Sequence, residues 1–105
     1  MKTELGLQER LLILNILPQK GNIVNLRVTK DIVKNVGLSD KEIQEWEVKV
    51  LPDGKVSWNL DKVEAKEIIF GDTAKGIIKD ELKKLNEKNE LPMNYLELYE
   101  KFDKE

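Results

Sequence analysis

The chain has 105 residues, 40% of them hydrophobic and 36% charged, which fits one globular domain with a strongly charged surface. Its formal net charge is −2, without the surplus of Lys and Arg that marks a nucleic-acid-binding module. Cysteine and histidine are both absent, which excludes disulfide frameworks, thiolate or imidazole metal sites and any Ser-His or Cys-His catalytic pair.

The first apolar run covers residues 11–17. Asn15 interrupts it, and Glu4, Gln8, Glu9 and Arg10 precede it. With no basic leader and no small-residue cleavage site, it reads as a helix and not as an export signal. No window approaches the ~18 apolar residues of a membrane span, so a cytoplasmic protein is expected. Helix 1 begins at Thr3 or Leu7, and Leu7, Leu11, Leu14 and Leu17 form its stripe. Leu12, Ile13 and Ile16 widen that stripe, so the helix is central to the core. Pro18 ends it, and QKGN follows as a turn.

Helix 2 is expected over residues 26–36, capped by Asn25, with Leu26, Thr29, Val33 and Val36 on one face. Ile23-Val24 could instead open a short strand. Gly37 is expected as the left-handed residue past the helix end. Ser39 and Glu42 form a capping box for helix 3, whose inward face is Ile43 and Trp46. Trp46, Val48 and Val50 then alternate with polar residues, as do Val56, Trp58 and Leu60. The LPDGK between them is a strong turn, so a hairpin is expected with both Trp rings on one face. KEIIF, residues 66–70, is expected as a third strand pairing with that hairpin. Helix 4 follows, capped by Asp72, with Ala74, Ile77, Ile78, Leu82 and Leu85 inward. Gly76 costs that helix about 1 kcal/mol relative to Ala, which close packing would explain. Pro92 opens helix 5, and Met93, Tyr95, Leu96, Leu98, Tyr99 and Phe102 form its apolar side.

Chemistry-bearing patterns are sparse. The six glycines are scattered as turn markers, with no phosphate-binding loop among them. Ser39 reads as a cap and Ser57 as a strand residue. The acidic residues mostly alternate with Lys on solvent faces, and Asp40, Glu42, Glu45 and Glu47 lack the spacing of a calcium loop. No cofactor or metal is expected, and no enzyme.

Two stretches carry the functional reading. TKDIVKNVGLSDKEIQEW followed by VKVLPDGKVSWNL has the order helix, Gly turn, helix, hairpin. This resembles the bihelical unit and wing of bacterial winged-helix regulators. On that reading Lys30, Lys34, Lys41, Lys49 and Lys55 would meet DNA. The charge opposes it: Asp40, Lys41, Glu42, Glu45 and Glu47 give the would-be recognition helix a net −3, against a phosphate-lined groove. Only two arginines, Arg10 and Arg27, are available to read bases. The same acidic helix could act as a DNA mimic in another protein's basic groove. The second stretch is the C-terminal helix, where Tyr95, Tyr99 and Phe102 recur at i, i+4 and i+7. Such a stripe belongs either to the core or to a partner surface.

LQERLLILNILPQKGN and LKKLNEKNELPMNYLELYEKF together resemble small prophage and mobile-element proteins of Gram-positive bacteria, a group without an assigned activity. The resemblance rests on Leu, Pro and aromatic positions and implies a mobile-element origin, with no catalytic residues.

The sequence therefore predicts an α+β fold, about five helices with a small antiparallel sheet of a hairpin plus a third strand, winged-helix-like. The predicted function is a non-enzymatic protein–protein interaction or accessory role, with an unknown protein partner or a homodimer. The partner surface would be Tyr95, Tyr99 and Phe102. A winged-helix DNA-binding transcriptional regulator is the alternative.

Overall fold

A computed structural model describes residues 1–103 and shows an α+β fold. The first element is a strand, β1 (Lys2–Leu5), where a helix start at Thr3 had been one of two expectations. Lys2 and Glu4 face solvent, and Leu5 is fully buried, so the segment obeys the two-residue period of a strand. Gly6 then breaks it, in extended conformation, and α1 (Leu7–Ile16) begins. The Gly6 N–H donates to Glu9 Oε1 across the first turn (3.1 Å). Leu17 is extended before Pro18, as the proline demands.

Helix α2 (Ile23–Val36) starts three residues earlier than expected. Asn22, not Asn25, is its cap: Asn22 Oδ1 accepts the Asn25 N–H (2.8 Å). Its buried residues are Thr29, Ile32 and Val36. Val33, expected inward, is exposed, because Ile32 takes the core position. Gly37 is not left-handed; its φ is −64° and its ψ 154°. It is needed for space instead. A Cβ there would sit 2.7 Å from the Val33 carbonyl oxygen, which accepts the Gly37 N–H.

Helix α3 (Asp40–Glu45) carries the expected capping box of Ser39 and Glu42. Ile43 points partly outward, whereas Trp46 is buried and closes the helix. Glu47 adopts a left-handed φ of 54°, which cuts the expected strand away from Trp46. The hairpin is consequently short: β2 (Lys49–Val50) pairs with β3 (Val56–Ser57), and the two Trp rings do not share its face. Gly54 takes the positive φ its turn requires, 85°.

The strand β4 (Lys66–Ile69) does not join the hairpin. It pairs antiparallel with β1, with Lys2 opposite Ile69 and Leu5 opposite Lys66. The Phe70 N–H donates to the Met1 carbonyl (2.7 Å) and extends this ladder. This register places Leu5, Ile68 and Phe70 in the core. Helix α4 (Asp72–Glu87) follows, with Gly71 at the cap position and Asp72 already inside the first turn. Pro92 precedes a 3-10 turn (Met93–Tyr95) that runs into α5 (Leu96–Asp103).

One cluster gathers all these elements except α3, β2 and β3. It contains Leu12, Ile13 and Leu17 of the first helix region, Ile32 and Val36 of α2, Ile78 and Leu82 of α4, and Leu98 and Phe102 of α5. Each such side chain contributes about 1.5–3 kcal/mol by leaving water. The Phe70 and Phe102 rings tilt against each other with centroids 5.6 Å apart, joining sheet to last helix.

Candidate functional site

The end of the molecule outside that cluster is built on a buried arginine. Arg10 of α1 has no exposed surface. Its Nε donates to the Val36 carbonyl (2.9 Å) and its Nη2 to the Gly37 carbonyl (2.7 Å). Nη1 and Nη2 also reach Glu42 Oε2 (2.8 Å) and Oε1 (3.0 Å) as a two-pronged fork. The Trp46 ring lies 5.9 Å from the guanidinium carbon and covers the charge. Thus one side chain satisfies the carbonyls that end α2, grips α3, and seats Trp46, the residue that closes α3. Helix carbonyls left bare at a buried end would otherwise carry a desolvation cost.

Glu42 is the other half of this clamp. The hydrogen bonds from Arg10 hold its carboxyl down from 4.5 to about 2, with the Ser39 N–H adding to the shift against partial burial. Glu42 had been counted among the charges of an outward acidic face. The structure spends it inward. What could have shown this is the position of Arg10, between Leu7 and Leu14 on a helix whose other stripe positions are apolar. A lone cation in such a stripe needs a carboxylate and carbonyls to meet it.

From this clamp projects an arm. Residues 47–67 contribute no buried side chain. Val50 and Leu60 are 76% and 79% exposed, and Leu51 is also exposed. The arm is held at its root by the Asn59 N–H donating to the Trp46 carbonyl (2.8 Å) and by Asn59 Nδ2 donating to Glu47 Oε2 (2.9 Å). Lys62 adds an ion pair to Glu47. The Glu47 carboxyl is lowered chiefly by the Asn59 hydrogen bond. With Glu42 spent on Arg10, residues 40–64 present six acidic and four basic groups outward, so α3 and the arm form a mildly acidic surface with apolar points.

The sequence-predicted site residues fall in three places. Lys30 and Lys34 lie on the exposed face of α2, where with Arg27 they line one shallow surface depression. Lys41 is on α3 and pairs with Glu45 (3.9 Å). Lys49 and Lys55 are on the arm. Of the aromatic stripe, Tyr95 and Phe102 are buried in the core and only Tyr99 is half-buried against it. The Tyr95 hydroxyl donates inward, toward the Leu12 carbonyl (3.5 Å), and burial pushes its pKa up. Helix α5 thus turns Tyr95 and Phe102 to the core, and Tyr99 borders a small surface depression beside Lys79 and Lys83.

Elsewhere the chemistry is thin. A groove between α2 and the start of α4 is lined by Asp31, Asn35, Asp72 and Thr73 among others. Both its carboxylates are exposed, so neither is desolvated for acid-base work. Among the described residues, no group of three or more carboxylates is placed to hold a metal ion. No helix of the described residues is long and apolar enough to cross a membrane. No family model matches the chain, and no curated protein or solved structure is similar to it.

Proposed function

We propose that this chain is a non-enzymatic accessory protein that acts by binding another protein through α3 and the arm. A single observation carries the reading: residues 47–67 bury no side chain while displaying Val50, Leu51 and Leu60. An isolated two-stranded hairpin is marginally stable in water, and apolar tips without a core role are more useful as contacts than as structure. The acidic surroundings specify the chemistry of the partner, an apolar patch rimmed by Lys and Arg. The proposed partner surface is accordingly α3 and the arm in place of the aromatic stripe. A cytoplasmic, mobile-element accessory role is compatible with this reading.

The test is affinity capture from the source cell with wild type and the double variant Val50→Asp, Leu60→Asp, followed by titration of the purified partner. Both chains should fold alike, and the variant should bind at least tenfold more weakly, as loss of two central apolar contacts requires. Equal binding by a chain whose arm is replaced with a short loop removes the proposal.

The second reading is a winged-helix DNA-binding regulator. Its support is the order of α2, α3, β2 and β3, and the consumption of Glu42 by Arg10, which lightens the acidic penalty. We read α1 to α5 as the five helices of such a fold, with the third strand transferred from the wing to β1. Fluorescence anisotropy with duplex DNA at about 50 mM salt separates the readings: a DNA binder shows salt-sensitive affinity there.

A further inference from the structure

The outward face of α2 is a cationic ridge. Ile23, Arg27, Lys30 and Lys34 are all exposed and recur at i, i+4, i+7 and i+11, opposite the buried Thr29, Ile32 and Val36, and exposed Asp31 on the flank of the ridge leaves it a net +2. Arg27, Lys30 and Lys34 make no ion pair among the described residues. Ile23 and Val24, more than 60% exposed, sit at the N-terminal end of this ridge.

The outward face of α5 has the opposite charges in the same order. Glu97, Glu100 and Asp103 are exposed and make no ion pair among the described residues, with Asp103 at the edge of the face, beside a surface depression it shares with Lys79 and Lys83 of α4. The nearby cation Lys101 is committed elsewhere, to Glu9 Oε1 (2.8 Å) and the Glu4 carbonyl (2.9 Å). Exposed Met93 and Leu96 precede the acids, as Ile23 and Val24 precede the cations. Arg27 to Lys34 spans about 10 Å along its helix and Glu97 to Asp103 about 9 Å. Laid parallel, the two faces match apolar end to apolar end and charge to charge.

We infer that α2 of one copy docks on α5 of a second copy, with Arg27, Lys30 and Lys34 facing Glu97, Glu100 and Asp103. Within one chain the two faces are separate, each helix packing on α4 with its other side. The contact either closes reciprocally in a two-fold dimer, α2 on α5 and α5 on α2, or repeats head to tail into a ring or longer assembly. What favours a second copy over nucleic acid is that each copy itself supplies the matching acidic face. The inference does not depend on the arm as a docking site.

Sedimentation velocity on the full chain tests it. Wild type should associate with rising concentration at about 50 mM salt, and roughly tenfold more weakly at about 500 mM, as exposed ion pairs are screened. Lys30→Glu with Lys34→Glu, and separately Glu97→Lys with Glu100→Lys, should each remain monomeric with wild-type circular dichroism. An equimolar mixture of the two variants should associate again, because each restores the charge the other lost. A wild type that stays monomeric at low salt overturns the inference. So does association that survives both reversals, or a mixture that fails to re-associate. Monomeric wild type that instead binds DNA or RNA through Lys30 and Lys34 reassigns the ridge and overturns it as well.

Discussion

Glu42→Gln removes the charge that answers a fully buried arginine while keeping nearly the same shape. In the native chain the Glu42 carboxyl sits at about 2 instead of 4.5, chiefly through its hydrogen bonds from Arg10. Each unit of that shift is worth ~1.4 kcal/mol, so the ionised form contributes about 3 kcal/mol to stability. Glu42 is 19% exposed at its side chain, and Arg10 is not exposed at all, so solvent screens the pair little. Breaking a buried pair from one side costs about 3–5 kcal/mol, which agrees. For a domain of this size, stability totals about 5–15 kcal/mol, so the loss is a large share. The pH dependence has a definite sign. The folded pKa is depressed, so this stability is complete above about pH 4.5 and disappears as pH falls toward 2. Urea denaturation across that window is the assay. Wild type should lose about 3 kcal/mol more than Glu42→Gln between neutral pH and pH 2. In a double-mutant cycle, Arg10→Met should cost less in the Glu42→Gln background than in wild type, the remaining cost being the lost bonds to the Val36 and Gly37 carbonyls. Parallel pH curves for wild type and Glu42→Gln, or a neutral-pH difference under about 0.5 kcal/mol, would refute the clamp as a stabilising pair.

Other substitutions separate packing from space and from turn geometry. Gly37→Ala should destabilise by about 1–3 kcal/mol, read as a lower Tm, because its Cβ meets the rigid Val33 carbonyl at 2.7 Å. Gly76→Ala should do the reverse and stabilise by about 0.5–1 kcal/mol, since nothing lies within 4 Å of the new Cβ and the helix gains a better former. Phe102→Ala should cost about 3–5 kcal/mol in a urea titration, and Tyr99→Ala clearly less, as only Phe102 is fully enclosed. Gly54→Ala strains a φ of 85° and should raise amide exchange in residues 47–60 while leaving that of α1 and α4 unchanged.

Local signals in this sequence were faithful where a side chain acts on its own backbone. The Ser39–Glu42 box, the Pro18 stop and the LPDGK turn all stand where the residues put them. They failed where two distant segments compete for one partner. KEIIF had strand chemistry, but nothing local says which strand it meets. The hairpin was the nearer candidate, yet β1 offered Leu5 and a place beside the core, and burial of Ile68 and Phe70 decided the pairing. β1 itself was obscured because four alternating residues adjoin a long leucine stripe that reads backward as helix. Asn22 and Asn25 are equally good caps by type. Asn22 is the cap because residues 23–25 continue the helix, which brings the Asn25 N–H onto Asn22 Oδ1.

The site was less legible, for a reason in how charge was counted. A sum over α3 treats Glu42 as one more anion facing solvent. In the fold it is the one acid of that helix which faces the core, and its partner lies thirty-two residues away, at the start of the leucine- and isoleucine-rich run of α1. By sequence Arg10 counts only as one of two arginines that could read a base. Its burial turns a tally of surface charge into an architectural fact: Arg10 and Glu42 fix α3 against α1, and Trp46 rests on the fork. With that root fixed, the arm needs no core of its own. Its apolar tips are free to serve another molecule, and the remaining acids, Asp40, Glu45 and those of the arm, define the charge that molecule must carry.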